Sequence, residues 1–160
     1  MIRIDNARFP EDLPDIQAIF REYAESLDID LGFQDFESEL AGLPGKFAAP
    51  DGQILLARRA NQVVGCVAVR PLSGDACEMK RLYVRPAGRG EHVGRKLAVS
   101  ICQLAREAGY RLMRLDTLST MTAALRVYES LGFVRIPAYT FNPLPDAVFM
   151  ECDLTRALEK

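Results

Sequence analysis

Several classes of protein are excluded by what this 160-residue chain lacks. No apolar run reaches the length of a bilayer span, and the opening Met1-Ile2-Arg3-Ile4-Asp5 has no apolar core of the secretory kind. An excess of charge of one sign is missing too. The net charge is −2 and the isoelectric point about 5.5, so nothing global draws the chain to nucleic acid or an anionic membrane. Cysteine is sparse: Cys66, Cys77, Cys102 and Cys152 stand far apart, without paired metal spacing. Each has apolar neighbours and reads as a small core residue with a reduced thiol, and the expected location is cytoplasmic. Internal repeats, linkers and low-complexity segments are absent. What is present is ordinary for a globular protein, 49% hydrophobic and 26% charged residues. The expectation is one domain over residues 1–160, long enough to bury a full core.

Periodicity and turn residues divide the chain into elements. Residues 2–6 read as a strand and 10–27 as a helix with Leu13, Ile16, Ile19, Phe20 and Tyr23 on its apolar face. A shorter helix is expected over 33–43, stopped by Pro44-Gly45. Residues 53–59 and 62–70 form an antiparallel hairpin around Asn61, with Gly65 marking a bulge or a close backbone approach. A strand over 76–85 follows, then a helix from Val93 that Gly109 ends. Residues 111–117 read as a strand, 121–131 as a helix, 133–136 as a strand, 137–145 as a proline-rich loop and 147–154 as a last strand. Hairpins in the first half and strand–helix–strand crossovers in the second predict an α/β fold, with a mixed, mostly antiparallel sheet and helices on both faces.

The stretch Leu82-Tyr83-Val84-Arg85-Pro86-Ala87-Gly88-Arg89-Gly90-Glu91-His92-Val93-Gly94-Arg95-Lys96-Leu97 organises the rest. A β-branched and aromatic run meets Pro86, which cannot donate to a ladder, and three glycines follow within seven residues. From Val93 the apolar spacing is helical through Leu97, Ile101, Leu104 and Ala108. The first N–H groups of such a helix lack intrahelical partners and carry the positive end of its dipole. Glycines let a ligand approach them, and Arg89, Arg95 and Lys96 add charge. The pattern is that of a phosphate cradle. A Walker loop is ruled out because Gly94-Arg95-Lys96 lacks the Gly-Lys-Ser/Thr ending. A Rossmann loop is ruled out because Gly88-x-Gly90-x-x-x-Gly94 is one residue too long and lies mid-chain.

What remains, Arg89-x-x-His92-x-Gly94, resembles the GNAT superfamily of N-acetyltransferases, whose signature is Gln/Arg-x-x-Gly-x-Gly/Ala after the fourth strand. Met79-Lys80-Arg81-Leu82-Tyr83-Val84-Arg85-Pro86 is similar to that strand. Ala124-Leu125-Arg126-Val127-Tyr128-Glu129-Ser130-Leu131-Gly132-Phe133 is similar to the family's later helix and the strand after it, about forty residues on. Two positions depart from the pattern. His92 replaces the first motif glycine, and Met121 stands where an asparagine is often found.

The resemblance implies acetyl-CoA as co-substrate, without a metal, and direct transfer to an amine in a ternary complex. The pyrophosphate would rest on the amides of Gly90, Glu91, His92, Val93, Gly94 and Arg95, with Arg89, Arg95 and Lys96 adding charge. The pantetheine arm would pair with backbone of Leu82, Tyr83 and Val84. The amine, with a reference pKa of about 10.4, must lose a proton. Glu78 is the candidate base, directly or through a water; the bland alternative is a surface glutamate paired with Lys80 or Arg81. Tyr128 matches the family tyrosine that protonates the departing thiolate; its alternative is a core tyrosine. His92, the lone histidine, sits where a helix dipole disfavours its charged form, so it shapes the cradle rather than serving as base.

Two features bear on the acceptor, a small amine or a peptide amine. Between Arg21 and Lys46 lie Glu22, Glu25, Asp28, Asp30, Asp35, Glu37 and Glu39 with no lysine or arginine. They read as a solvated face or as a field that steers a cationic amine. The loop around Tyr139 and Phe141 reads as a cleft rim, an ordered connection or part of a homodimer contact. Two rival readings stand beside the enzyme: an acetyl-CoA-binding sensor or interaction module without turnover, and a nucleotide-binding protein.

Overall fold

The computed structural model describes residues 1–27 and 35–156. A seven-stranded sheet runs in the order β1-β2-β3-β4-β5-β7-β6. Its strands are β1 (Ile2–Asn6), β2 (Gln53–Arg59), β3 (Gln62–Ser73), β4 (Ala76–Val84), β5 (Leu112–Leu118), β6 (Val134–Ile136) and β7 (Ala147–Asp153). The helices are α1 (Leu13–Ser26), α2 (Phe36–Ala41), α3 (Val93–Glu107) and α4 (Thr122–Ser130). All neighbours pair antiparallel except β4 with β5, as the mixed-sheet expectation requires. Among the described residues no helix is long and apolar enough to cross a membrane.

Strand alternation sorts the core into two layers. Val67, Val69, Met79, Met113 and Leu115 pack with Leu97, Ile101 and Ala105 of α3 and Leu125 and Tyr128 of α4. The opposite face, with Ile54, Leu56, Cys66 and Ala68, receives Ile16, Ile19 and Phe20 of α1 and Phe36 and Leu40 of α2. All four cysteines are free and buried, and burial pushes the Cys66 and Cys77 thiols up to about 12, which keeps them protonated and inert. Gly65 does what its position implied. A register shift falls beside it in the β2–β3 ladder, and a Cβ there would lie 3.0 Å from Leu97 Cδ1 and 3.1 Å from the Tyr83 carbonyl. Helix α3 therefore packs so closely onto β3 that a side chain at residue 65 would force its neighbours to move by a few tenths of an ångström.

Element bounds differ from the sequence reading where tertiary contacts compete. Helix α1 begins at Leu13, not Pro10, because the chain around Asp12 is held by other bonds. The Asp12 carboxylate accepts from the Arg8 amide (2.8 Å) and from Arg58 Nη2 (2.8 Å), so it is an ion-pair partner and not a helix cap. Strand β3 runs past Pro71 to Ser73, with a register shift at the proline. Helix α2 covers Phe36–Ala41; the start expected at residue 33 lies outside the described residues.

The feature that makes a site is in β4. Cys66 opposes Tyr83 and Ala68 opposes Lys80, so Arg81 and Leu82 together face one residue, Val67. This is a β-bulge, with Arg81 in the left-handed region at φ 63°. The parallel ladder to β5 ends before it, after Ala76, Cys77 and Glu78. Beyond Glu78 the two strands diverge, leaving a wedge and an unladdered edge along Leu82, Tyr83 and Val84.

Candidate active site

The strand, turn and helix expected around residues 82–97 are present. A short 3-10 turn (Pro86–Gly88) carries the chain from β4 to α3, and Gly88 packs so tightly that a Cβ would meet Val64 Cβ at 2.8 Å. Gly90 takes φ +105°, and His92 takes φ 55° as the residue before α3. The first helical bond is from the Lys96 amide to the His92 carbonyl (2.9 Å). None of the N–H groups of Gly90, Glu91, His92, Val93, Gly94 and Arg95 donates to a described acceptor. An uninterrupted row of free donors at a helix N-terminus is suited to a pyrophosphate.

These amides open on a groove of about 900 Å³ between the splayed end of β4 and α4. Leu82, Tyr83, Val84, Arg89, Gly90, His92, Val93, Gly94 and Arg95 line it. Two residues expected in the site line none of it. Glu91 turns away to an ion pair with Arg59, which lowers its carboxyl pKa, and Lys96, exposed on the next turn of α3, faces elsewhere. The sequence reading did not name the far wall, formed by Thr122, Ala124, Arg126 and Val127 of α4. Ala124, Arg126 and Val127 stand in the helix motif, but only its tyrosine was given a role.

His92 occupies a conformation natural to glycine, which explains how a histidine stands at a glycine position without altering the cradle. The left-handed backbone costs an ordinary L residue about 1–2 kcal/mol, and glycine's extra unfolded-state entropy offsets part of that. We expect His92→Gly to raise stability by up to about 1 kcal/mol, or roughly 2–4 °C in melting temperature for a chain of this size. A lower melting temperature in scanning calorimetry would show that the imidazole makes a stabilising contact.

Beside the groove, and sharing Leu27, Leu82 and Met121 with it, lies a small space of about 40 Å³, the neck, also lined by Asp116 and Tyr128. Tyr128 is only 6% exposed, packs its ring on Phe133 at 5.7 Å, and donates no hydrogen bond to a described residue. Burial raises its phenol pKa well above the ordinary value, so the proton stays on at neutral pH.

Past the neck lies a second cavity of about 260 Å³, which shares Lys80, Arg81 and Asp116 with it. Glu78 lines this cavity and is 1% exposed, so it is not the surface glutamate of the bland alternative, nor is it paired with Lys80 or Arg81. Its Oε1 accepts from Arg70 Nε (2.9 Å) and its Oε2 from the Tyr139 hydroxyl (2.7 Å). A carboxylate has about four acceptor sites, so two remain for a substrate or water. Thr140 and Phe141 place the proline-rich loop at the rim, as one of its readings expected.

The acidic run is neither a free steering field nor a solvated face throughout. Glu39 binds Arg81 through Nε (3.1 Å) and Nη2 (2.8 Å), and that guanidinium also lies over the rings of Tyr23 and Phe36. Glu22 grips Arg85 with both oxygens, at 2.8 and 2.6 Å, and Glu37 pairs with Arg21. The Glu39 and Glu22 pairs tie α2 and α1 to the bulged strand and its end, and the Glu37 pair joins α1 to α2. Breaking a buried pair such as Arg81–Glu39 typically costs about 3–5 kcal/mol. Asp35 lines the second cavity, Glu25 is exposed, and Asp28 and Asp30 lie outside the described residues.

Comparison with known proteins agrees with this geometry. The model of the Acetyltransferase (GNAT) family matches residues 13–133. An uncharacterised N-acetyltransferase of Schizosaccharomyces pombe is 41% identical over 157 residues, spanning 97% of this chain and 96% of its own. Among solved structures, a GNAT acetyltransferase of Staphylococcus aureus superposes with a TM-score of 0.77 at 20% identity, over 96% of this chain and 99% of its own. The PaiA N-acetyltransferase of Thermoplasma acidophilum, solved in complex with coenzyme A, gives a TM-score of 0.74 at 17% identity, over 96% and 99%. The splayed fourth strand, the row of free amides and the family match together place the chain in the GNAT family, as an acetyl-CoA-dependent acetyltransferase.

Proposed function

We propose that the protein moves the acetyl group of acetyl-CoA directly to a primary amine held in the cavity beyond the neck, both substrates being bound together. The observation that carries this reading is that the three spaces adjoin in series, each sharing lining residues with the next. The groove and the neck share Leu27, Leu82 and Met121, and the neck and the acceptor cavity share Lys80, Arg81 and Asp116. The pyrophosphate fits the free amides, and the pantetheine arm fits the unladdered edge at Leu82, Tyr83 and Val84. The apolar side chains of Met121 and Val127 supply a wall that an asparagine at 121 would make more polar.

The chemistry follows from the order of the side chains. Glu78 takes a proton from the acceptor ammonium, directly or through a water, and the neutral amine attacks the thioester carbonyl. A main-chain N–H of the splayed strand near Leu82 or Tyr83 polarises that carbonyl oxygen. As the tetrahedral adduct collapses, the C–S bond breaks and Tyr128 gives its proton to the sulfur, while the attacking nitrogen loses its second proton to water, leaving a neutral amide, and the phenolate regains a proton from solvent. The test is release of free thiol from acetyl-CoA across a panel of amino acids, polyamines, antibiotics and peptides. Initial rates varied in both substrates should give intersecting reciprocal plots, as a ternary complex requires. Tight acetyl-CoA binding with no turnover on the panel would favour the non-catalytic module.

The cradle has its own test. At Gly94 an added Cβ meets Val84 Cγ2 at 3.7 Å, ordinary contact, so Gly94→Glu should fold. Its carboxylate would stand where phosphate is expected. Loss of even one charge-assisted contact is worth roughly 1.5–3 kcal/mol, so acetyl-CoA affinity should fall at least about tenfold. Calorimetry giving an unchanged affinity in the folded variant would move the phosphate elsewhere.

A further inference from the structure

The acceptor cavity holds a charge that the transfer chemistry does not use. Lys80 has only 6% of its side chain exposed, yet its ammonium makes no hydrogen bond to a described residue. Its ion-pair partner, Asp116 Oδ1, stands 3.9 Å away. The carboxylates around it are engaged elsewhere. Glu78 holds Arg70 and Tyr139, Glu39 holds Arg81, and Asp116 Oδ2 accepts from Asn142 Nδ2 at 3.0 Å. A desolvated ammonium without a close partner is costly, and here it borders open volume. Arg70 adds a second donor set. Only its Nε is spent, on Glu78, and the residue lines the same cavity. The register puts both cations on one sheet face, since Arg70 opposes Glu78 and Lys80 is two residues further along β4.

Lys80 and Asp116 line both the neck and the outer cavity, and Glu78 lines the outer cavity with Arg70. Asp116 shares the neck with Tyr128, whereas Arg70 lines only the outer cavity. We infer that the acceptor is a zwitterion of the amino-acid kind: its amine sits beside Asp116 where the cavity meets the neck, with a water relaying its proton to Glu78, and its carboxylate is received by Lys80 and the terminal nitrogens of Arg70. A polyamine would set a second positive charge against these two cations, which selects against it. Lys80 and Arg70 are thus specificity-determining residues. This inference rests on the acetyl-transfer reading above, and its test separates the two.

The first arm measures acetylation of the twenty standard L-amino acids and of their C-terminal amides, which keep amine and side chain but cancel the carboxylate charge. At least one free acid should exceed its amide by about 10²-fold or more in kcat/KM, as expected of a site built around a buried polar partner. Lys80→Met keeps the stem and should shrink that ratio at least about tenfold, mainly through KM; Lys80→Arg should retain part of it. Coenzyme A binding checks that each variant is folded. The second arm needs no turnover: calorimetry of the N-acetyl amino acids and their amides with protein saturated in coenzyme A. A preference for acids that disappears in Lys80→Met establishes the anion site even if no amine is acetylated, and then the transfer reading alone fails. Equal use and binding of acids and amides overturns the inference. So does a preference that survives Lys80→Met, or turnover confined to amines without a negative group.

Discussion

Replacing Tyr128 by phenylalanine should leave acetyl-CoA binding near normal and reduce turnover by about 10²–10⁴-fold, the usual contribution of a general acid. The structure makes this a clean substitution. The phenol oxygen donates to no described group, so removing it strands no buried partner, and the ring keeps its contact with Phe133. The cost in stability should therefore stay below about 1 kcal/mol, which scanning calorimetry can verify before rates are compared. What is lost is the proton for the thiolate. Because burial raises the phenol pKa, Tyr128 keeps its proton into the alkaline range. An alkaline fall in the parent's rate at mildly basic pH should accordingly persist in Tyr128→Phe and belong to another group. Equal turnover in parent and variant, with thioester cleavage rate-limiting, would return Tyr128 to a packing role.

The two halves of the site differ in how legible they were, and the difference lies in sequence distance. The cradle is local: strand, turn and helix occupy one continuous stretch from Leu82 to Leu97, and glycine, proline and helical period each mark one part of it. Even there, backbone conformation was hidden. Nothing in the letters shows that His92 adopts the left-handed geometry of the glycine it replaces, or that Glu91 is drawn off by Arg59 across the hairpin. The acceptor cavity has no local signature. Arg70 reaches Glu78 through the β3–β4 register, Glu78 meets Arg114 through the short parallel ladder, and Asp116 follows two residues later. Tyr139 arrives from a loop beyond two further elements. The only trace in sequence was alternation, with Arg114 and Asp116 as polar positions between apolar Met113, Leu115 and the buried Thr117. The acidic run misled for the same reason. Its partners Arg81 and Arg85 lie 42 and 63 residues from Glu39 and Glu22.

That non-local assembly sets the second large effect, at Glu78. Glu78→Gln preserves the shape of the side chain and an oxygen to accept from Arg70 Nε, while the amide can donate to the Tyr139 oxygen once that hydroxyl turns. Arg70 has 27% of its side chain exposed, so water can compensate for the lost negative charge, and the fold should survive. The groove proposed to take acetyl-CoA does not include residue 78, and the affinity for it should not change. If the carboxylate removes the amine proton, kcat/KM should fall by about 10²–10⁴-fold, since an amide cannot take a proton in this pH range. The low-pH limb of the rate profile should disappear with it, because that limb reports the group that must be unprotonated. A positioning role, in which Glu78 only holds Arg70 and Tyr139 in place, makes a different prediction. It would raise the acceptor KM, leave kcat within a fewfold of the parent, and keep the pH profile unchanged. The pH profile of Glu78→Gln therefore decides between base and scaffold, whatever the acceptor proves to be.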